Sequence, residues 1–210
     1  MSIFEELYEH SPGLAPCAPA IGAAFELLRD ALADGRAVLV CGNGGSAADA
    51  EHIAAELAKP CALARPLSPE TVAALAEAGD DGYLARSLQA GWPVLPLVSQ
   101  AALLTAIAND QGGDLVFAQQ VVAYGRPGDL LLALTTSGAS PNVLHALRAA
   151  RALGLRTLAL TGPGGGAVAS GSLADVLVAL PGAGTPEVQH SHQLVYHALC
   201  LALEADRYAP

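Results

Sequence analysis

Ala37-Val38-Leu39-Val40-Cys41-Gly42-Asn43-Gly44-Gly45-Ser46 decides how this chain is read. The apolar run Ala37–Cys41 is continuous rather than alternating, as in a strand covered on both faces. It breaks at three glycines, which permit a tight turn and bring backbone N–H groups close to a ligand, and passes at once into Ser46–Ala58, rich in Ala, Glu and Leu. A strand, a glycine turn and a helix in that order put the positive end of a helix dipole at the turn, where a small anion is expected. The spacing is not G-x-G-x-x-G and no P-loop lysine follows, so the turn carries no nucleotide fingerprint.

Four further apolar runs share the character of the first: Pro93–Val98, Asp129–Thr135, Arg156–Thr161 and Asp175–Leu180. Helical patterns lie between and around them at Ile21–Leu32, Asn142–Leu153 and Val188–Ala205, the second opened by Ser140-Pro141 and stopped before Gly154. Strand and helix alternating over short links predict an α/β protein with one doubly wound, five-stranded parallel sheet. Residues 1–35 are expected to form a helical segment ahead of it, and residues 59–91 an excursion with one or two short helices framed by Arg65-Pro66, Ser68-Pro69 and Gly79-Asp80-Asp81-Gly82. The run at Asp129–Thr135 leads into Thr136-Ser137-Gly138-Ala139-Ser140, again directly before a helix, where hydroxyls and N–H groups can surround a phosphate without lysine. Two such turns in one open parallel sheet point to one crevice at its switch point.

The 210 residues are 52% hydrophobic and carry 10 Lys+Arg against 20 Asp+Glu, with Lys59 the only lysine, so nothing offers a basic field to a nucleic-acid backbone. The acidic start Ser2-Ile3-Phe4-Glu5-Glu6 is unlike an export or organelle address, and the uncharged stretch Ser87–Asn109 is broken by prolines and polar residues. It is read as turn, buried strand and turn rather than a membrane span. Cys17, Cys41, Cys61 and Cys200 form no CxxC, and the expectation is reduced thiols in a cytoplasm.

Groups fit for chemistry are few. His52 and Glu56 stand four apart on one helix face, able to share a divalent metal or act as a proton-transfer pair. The last helix adds Gln189, His190, His192 and His197. Gln189 and His197 are separated by eight residues, about 12 Å of helix, so one ion reaches both only if the helix is irregular or the site draws on more than one chain. Asn109-Asp110 offers an amide and a carboxylate to a ligand's hydroxyls, or equally a cap or turn.

Together the glycine turn, the His52 and Glu56 pair, Asn109-Asp110, Thr136-Ser137-Gly138 with Ser140 and Asn142, and the Gln189 to His197 helix resemble the SIS (sugar isomerase) domain family, specifically its phosphoheptose isomerases. The resemblance spans about Arg36 to Glu204. It implies a flavodoxin-like sheet, a homotetramer with active sites between subunits, the N-terminal helices helping to join them, and conversion of D-sedoheptulose 7-phosphate to D-glycero-D-manno-heptose 7-phosphate. It further implies that Asn43, Gly44, Gly45, Asn109 and Asp110 hold the sugar, that Thr135, Thr136, Ser137 and Ser140 take the phosphate, and that His52, Glu56, Gln189 and His197 bind zinc. Gln189 and Glu56 would touch substrate as well. Enediol chemistry needs a base and an acid, and these are assigned to Glu56 and His197.

The chain departs from the family in the length of the 59–91 excursion and in His190, which stands where an acidic residue is expected. Other readings share the fold: a non-catalytic protein, either a sugar-phosphate-binding sensor or an adaptor of the replication initiator, against which Glu56 and His197 speak, and an isomerase of another ketose phosphate.

Overall fold

The computed structural model describes residues 2–209. Helix α1 (Ile3–His10) opens with a capping box in which Ser2 and Glu5 satisfy each other's backbone N–H groups. A 3₁₀ turn leads to α2 (Ala18–Ala33), then β1 (Val38–Gly42) and α3 (Gly45–Ala58). The excursion holds α4 (Pro69–Glu77) and α5 (Tyr83–Ser87). After it come β2 (Val94–Pro96), α6 (Ala101–Asp110), α7 (Val116–Tyr124), β3 (Leu130–Thr135) and α8 (Pro141–Ala152). The chain finishes with β4 (Arg156–Thr161), α9 (Gly166–Ser170), β5 (Val176–Ala179) and α10 (Thr185–Tyr208).

The five strands are all parallel, in the order β2-β1-β3-β4-β5. Alternate strand residues sort to opposite faces. Val38, Val40, Leu130, Leu132, Leu158 and Val178 pack against α2, α3 and α10, whereas Leu39, Cys41, Leu131 and Ala133 pack against α6, α7 and α8. Burial on both faces explains why β1 and β3 read as unbroken apolar runs. Because the chain crosses from β1 to β2 on one side and returns to β3 on the other, strand order reverses between β1 and β3. Gly42 pairs in register with Leu134 there, so the glycine turn and the hydroxyl turn leave the sheet side by side.

Two expectations need correction. The stretch Ser87–Asn109 is not turn, strand and turn, since after the three-residue β2 it forms α6, and α7 follows unannounced. β2 itself is only half-buried, because it lies at the sheet edge. The helix Val188–Ala205 begins earlier, at Thr185, and runs to Tyr208.

The excursion presents no buried side chain from α4 or α5, yet Arg65 just before them is wholly buried and paired with Glu204 of α10 at 2.7 Å. Burial alone would raise the Glu204 carboxyl. The N–H groups of Cys61, Ala62 and Leu63 and the Arg65 guanidinium outweigh it and hold the group below its ordinary value. A depressed carboxyl contributes stability that is present above its unfolded value, about 4.3, and lost as pH falls through the folded one. Thermal midpoints should hold from neutrality to about pH 5 and fall below about pH 4. Glu204→Gln should start lower and show a shallower acid slope in the same melts, and an unchanged slope would remove this carboxyl from the cause.

Candidate active site

At the end of β1, Gly44 takes φ +56°, and a Cβ on Gly42 would stand 2.5 Å from the Ser46 carbonyl oxygen, so both positions require glycine. A Cβ on Gly45 would displace the Gln189 amide. At the end of β3 the Thr135 and Ser140 hydroxyls lie 3.3 Å apart, and Ser137 Oγ accepts from the Ala139 N–H. The turns are tied across the switch point by Asn43 and Asn142, whose side-chain amides each donate to the other's oxygen at 2.9 Å.

Between the turns is a recess of about 80 Å³ whose polar lining includes Asn43, Ser46, Thr135, Thr136, Ser140 and Thr185, with Gln189. Ser46, Ser140 and Thr185 belong to the starts of α3, α8 and α10. Three helix N-termini therefore converge on one small volume, with N–H groups, hydroxyls and the positive ends of three dipoles but no cationic side chain. That is an anion site built from neutral groups. Thr185 was not anticipated from sequence; its signal is Gly184-Thr185-Pro186, a hydroxyl ahead of a proline at a helix start.

From this recess α3 and α10 run side by side. Gln189 lies against Gly45, Gln193 and Tyr196 reach Asp49, and the His197 ring meets His52 edge-on at 4.8 Å between centroids. His52 Nε2 is 3.3 Å from Glu56 Oε1, so His52 stands between the expected base and the expected acid. The Cys61 thiol beside Glu56, with the charges of Lys59, His52 and His197, holds the Glu56 carboxyl below its ordinary value against the effect of burial. Cys61 is in turn pushed up to about 12, chiefly by burial and then by Glu56, and stays a thiol that can donate. His197 Nδ1 faces its own helix at the Gln193 carbonyl, 2.9 Å away, which leaves Nε2 for a ligand.

A zinc ion needs donors about 2.0–2.2 Å from one point. His52 and Glu56 fit half of such a set. If Tyr196 donates to Asp49 Oδ1 at 3.3 Å, its oxygen accepts from His52 Nδ1–H at 3.0 Å, and His52 Nε2 turns a lone pair toward the Glu56 carboxylate. Two acceptors facing each other at 3.3 Å call for a cation or a proton between them. The four expected donors do not gather around one point as the side chains stand. Gln189 lies up at the recess, His197 faces His52, and among the described residues no three His, Cys, Asp or Glu side chains gather to hold an ion. As α10 is an uninterrupted helix over both positions, irregularity does not bring them together.

The other expected residues are distributed as follows. Gly44 and Gly45 form the first turn, and Ser137 and Gly138 the second. Asn109 and Asp110 end α6, exposed, their side chains bonded to each other at 2.7 Å and outside the recess lining. His190 is exposed near Pro181 and Pro186, away from the recess. His192 is fully buried, and burial lowers its pKa so that the ring sits neutral in the core.

The SIS domain pattern matches the chain in two overlapping stretches, residues 14–90 and 84–162. A phosphoheptose isomerase of Rhodospirillum rubrum is 41% identical over 191 residues, covering 91% of this chain and 88% of that protein. One from Geotalea daltonii is 40% identical over 186 residues, 89% and 83% of the two chains. Among solved structures, the phosphoheptose isomerase of Neisseria gonorrhoeae superposes with a TM-score of 0.74 at 33% identity, over 96% of this chain and 95% of the other. That of Francisella tularensis gives 0.73 at 29% identity, over 96% and 94%. With this fold, this crevice and likeness along nearly the whole length, the chain belongs to the phosphoheptose isomerase family of SIS-domain proteins.

Proposed function

We propose that the chain isomerises a ketose phosphate to an aldose phosphate, specifically D-sedoheptulose 7-phosphate to D-glycero-D-manno-heptose 7-phosphate. The observation that carries this is the three-helix recess joined by α3 and α10 to Glu56 and His197. Thr135, Thr136, Ser137 and Ser140 take the phosphate; Asn43, Gly44, Gly45 and Gln189 meet the sugar, joined by Asn109 and Asp110 when the assembly brings them in. The distance favours a long sugar. Glu56 follows Gly45 by eleven residues, about 16 Å of helix, and its side chain leans back toward the helix start. An extended chain advances about 1.2 Å per bond, so phosphorus to C1 of a heptose phosphate covers roughly 10 Å and of a pentose phosphate roughly 7 Å.

Glu56, ionised at neutral pH, removes a proton from C1 while His197, acting as the imidazolium with its Nδ1–H on the Gln193 carbonyl, gives its Nε2 proton to the oxygen on C2, and the enediol forms. Glu56 returns the proton to C2 as His197 takes one from the C1 hydroxyl, which leaves the aldose and restores both groups.

Zinc would be held by His52 and Glu56, with the remaining donors supplied by a second copy in a homotetramer whose sites lie between subunits, and when bound it would polarise the carbonyl or fix these side chains. The N-terminal segment, residues 1–35, then serves assembly. Among the described residues no helix is long and apolar enough to cross a membrane. With four free cysteines, a cytoplasmic location is the reading we adopt.

The test is a coupled assay over ketose phosphates of five to seven carbons, with and without chelator, alongside elemental analysis of the purified protein. The heptulose phosphate should be the best substrate, and chelation should lower the rate at least about tenfold, reversibly on adding zinc. No turnover of any ketose phosphate would end the isomerase reading. Full activity at zero zinc content would end the metal's part alone.

A further inference from the structure

Arg65 is wholly buried in a segment whose neighbours are mostly exposed, and each of its side-chain contacts has a definite partner. Its Nε donates to Glu204 Oε1 at 2.7 Å, one terminal nitrogen donates to the Leu57 carbonyl at 2.8 Å, and the other to the Glu56 carbonyl at 2.9 Å. The guanidinium lies over the Trp92 ring at 4.4 Å. Glu204 spends its remaining capacity on the N–H groups of Cys61, Ala62 and Leu63.

The placement of these contacts matters more than their number. Glu56 and Leu57 belong to the last turn of α3, where carbonyls lack partners within the helix and the dipole is negative. A fork of two donors on adjacent carbonyls caps that turn and fixes it, which a single point charge does not achieve. At its other end the ion pair rests on Glu204, two turns beyond His197 on α10. One buried guanidinium thus spans the helix that bears Glu56 and the helix that bears His197.

From this geometry we infer that Arg65 is a positioning residue for the isomerisation, setting the Glu56 carboxylate at a fixed distance from His197. The inference rests on the reading of Glu56 as the base. A tie that served only to fasten the excursion would need Glu204 and the loop N–H groups alone; bonds to the carbonyl of Glu56 itself and of its neighbour go beyond that need.

The test is Arg65→Lys, which keeps a cation for Glu204 but loses the planar fork that reaches both carbonyls while the ion pair is made, set beside Trp92→Leu, which removes the ring face and leaves every hydrogen bond. Arg65→Lys should lower kcat about 10- to 100-fold with KM within about twofold, because the recess is untouched. Trp92→Leu should lower the thermal midpoint and leave kcat at the parent value. If Arg65→Lys does not fold, Arg65→Gln, which retains one donor for a carbonyl, is judged by the same split. Parent-like kcat in the folded Arg65 variant overturns the inference, as does a kcat loss in Trp92→Leu equal to that in the Arg65 variant at equal loss of midpoint. Glu56→Gln run in parallel separates the two claims: full activity there defeats the assignment of the base, whereas an inactive Glu56→Gln with a fully active Arg65→Lys defeats only the latch.

Discussion

Glu56→Gln is expected to leave a folded protein whose isomerase rate is lower by about 10²- to 10⁴-fold, the range a positioned general base supplies. The amide keeps the size of the side chain and can still meet the Cys61 thiol, but it cannot take the proton from C1. Its main contacts lie on a half-buried helix face rather than in the core, so the fold should survive. His197→Ala should lose a comparable factor by removing the group that protonates the carbonyl oxygen. Proton exchange from solvent into C1 of the ketose, followed by NMR, distinguishes the roles, since exchange should vanish in Glu56→Gln and persist weakly in His197→Ala. Exchange at the parent rate in Glu56→Gln would assign the base elsewhere.

Gly138→Ala should be the most damaging small change outside the catalytic pair. Gly138 sits at φ +62° in the hydroxyl turn, and an added Cβ would run into the Gly165 carbonyl, which is backbone and has no side chain to swing aside. Left-handed strain with a backbone collision costs about 2–4 kcal/mol, or a fall of about 5–15 °C in thermal midpoint for a chain of this size. The turn can relieve the clash only by moving away from the loop after β4, which displaces Ser140 from the recess. KM for the sugar phosphate should rise at least about tenfold while kcat at saturation falls less. A variant with parent-like KM and midpoint would show that the turn is neither rigid nor part of the phosphate site.

Much of the architecture was legible because the central strands are buried on both faces. β1 and β3 are central, so their apolar runs were unbroken, and the glycine and hydroxyl turns marked their ends. β2 is an edge strand of three residues, and α6 and α7 carry glutamines, alanines and exposed valine instead of a clean amphipathic stripe, so that region had no period to follow. At the site, the phosphate turns and the His52 and Glu56 pair could be read from local spacing. The contribution of Thr185 could not, because it depends on α10 folding back 49 residues later to place its first hydroxyl 3.5 Å from Thr136. Arg65 was equally hidden. A lone arginine before a proline in a mostly exposed loop reads as a solvated side chain until its partner 139 positions away is known.

A cradle without ammonium groups, set in a chain whose formal net charge is -10, has a kinetic side. Such a surface repels a dianion during its approach, and only the last few ångströms, where the three helix starts point inward, turn repulsion into capture. Added electrolyte weakens the long-range repulsion more than the short, directional hydrogen bonds, so arrival of the ligand is eased by ionic strength that would slow it at a lysine-lined pocket. Selection is thereby made at contact, by shape and donor direction.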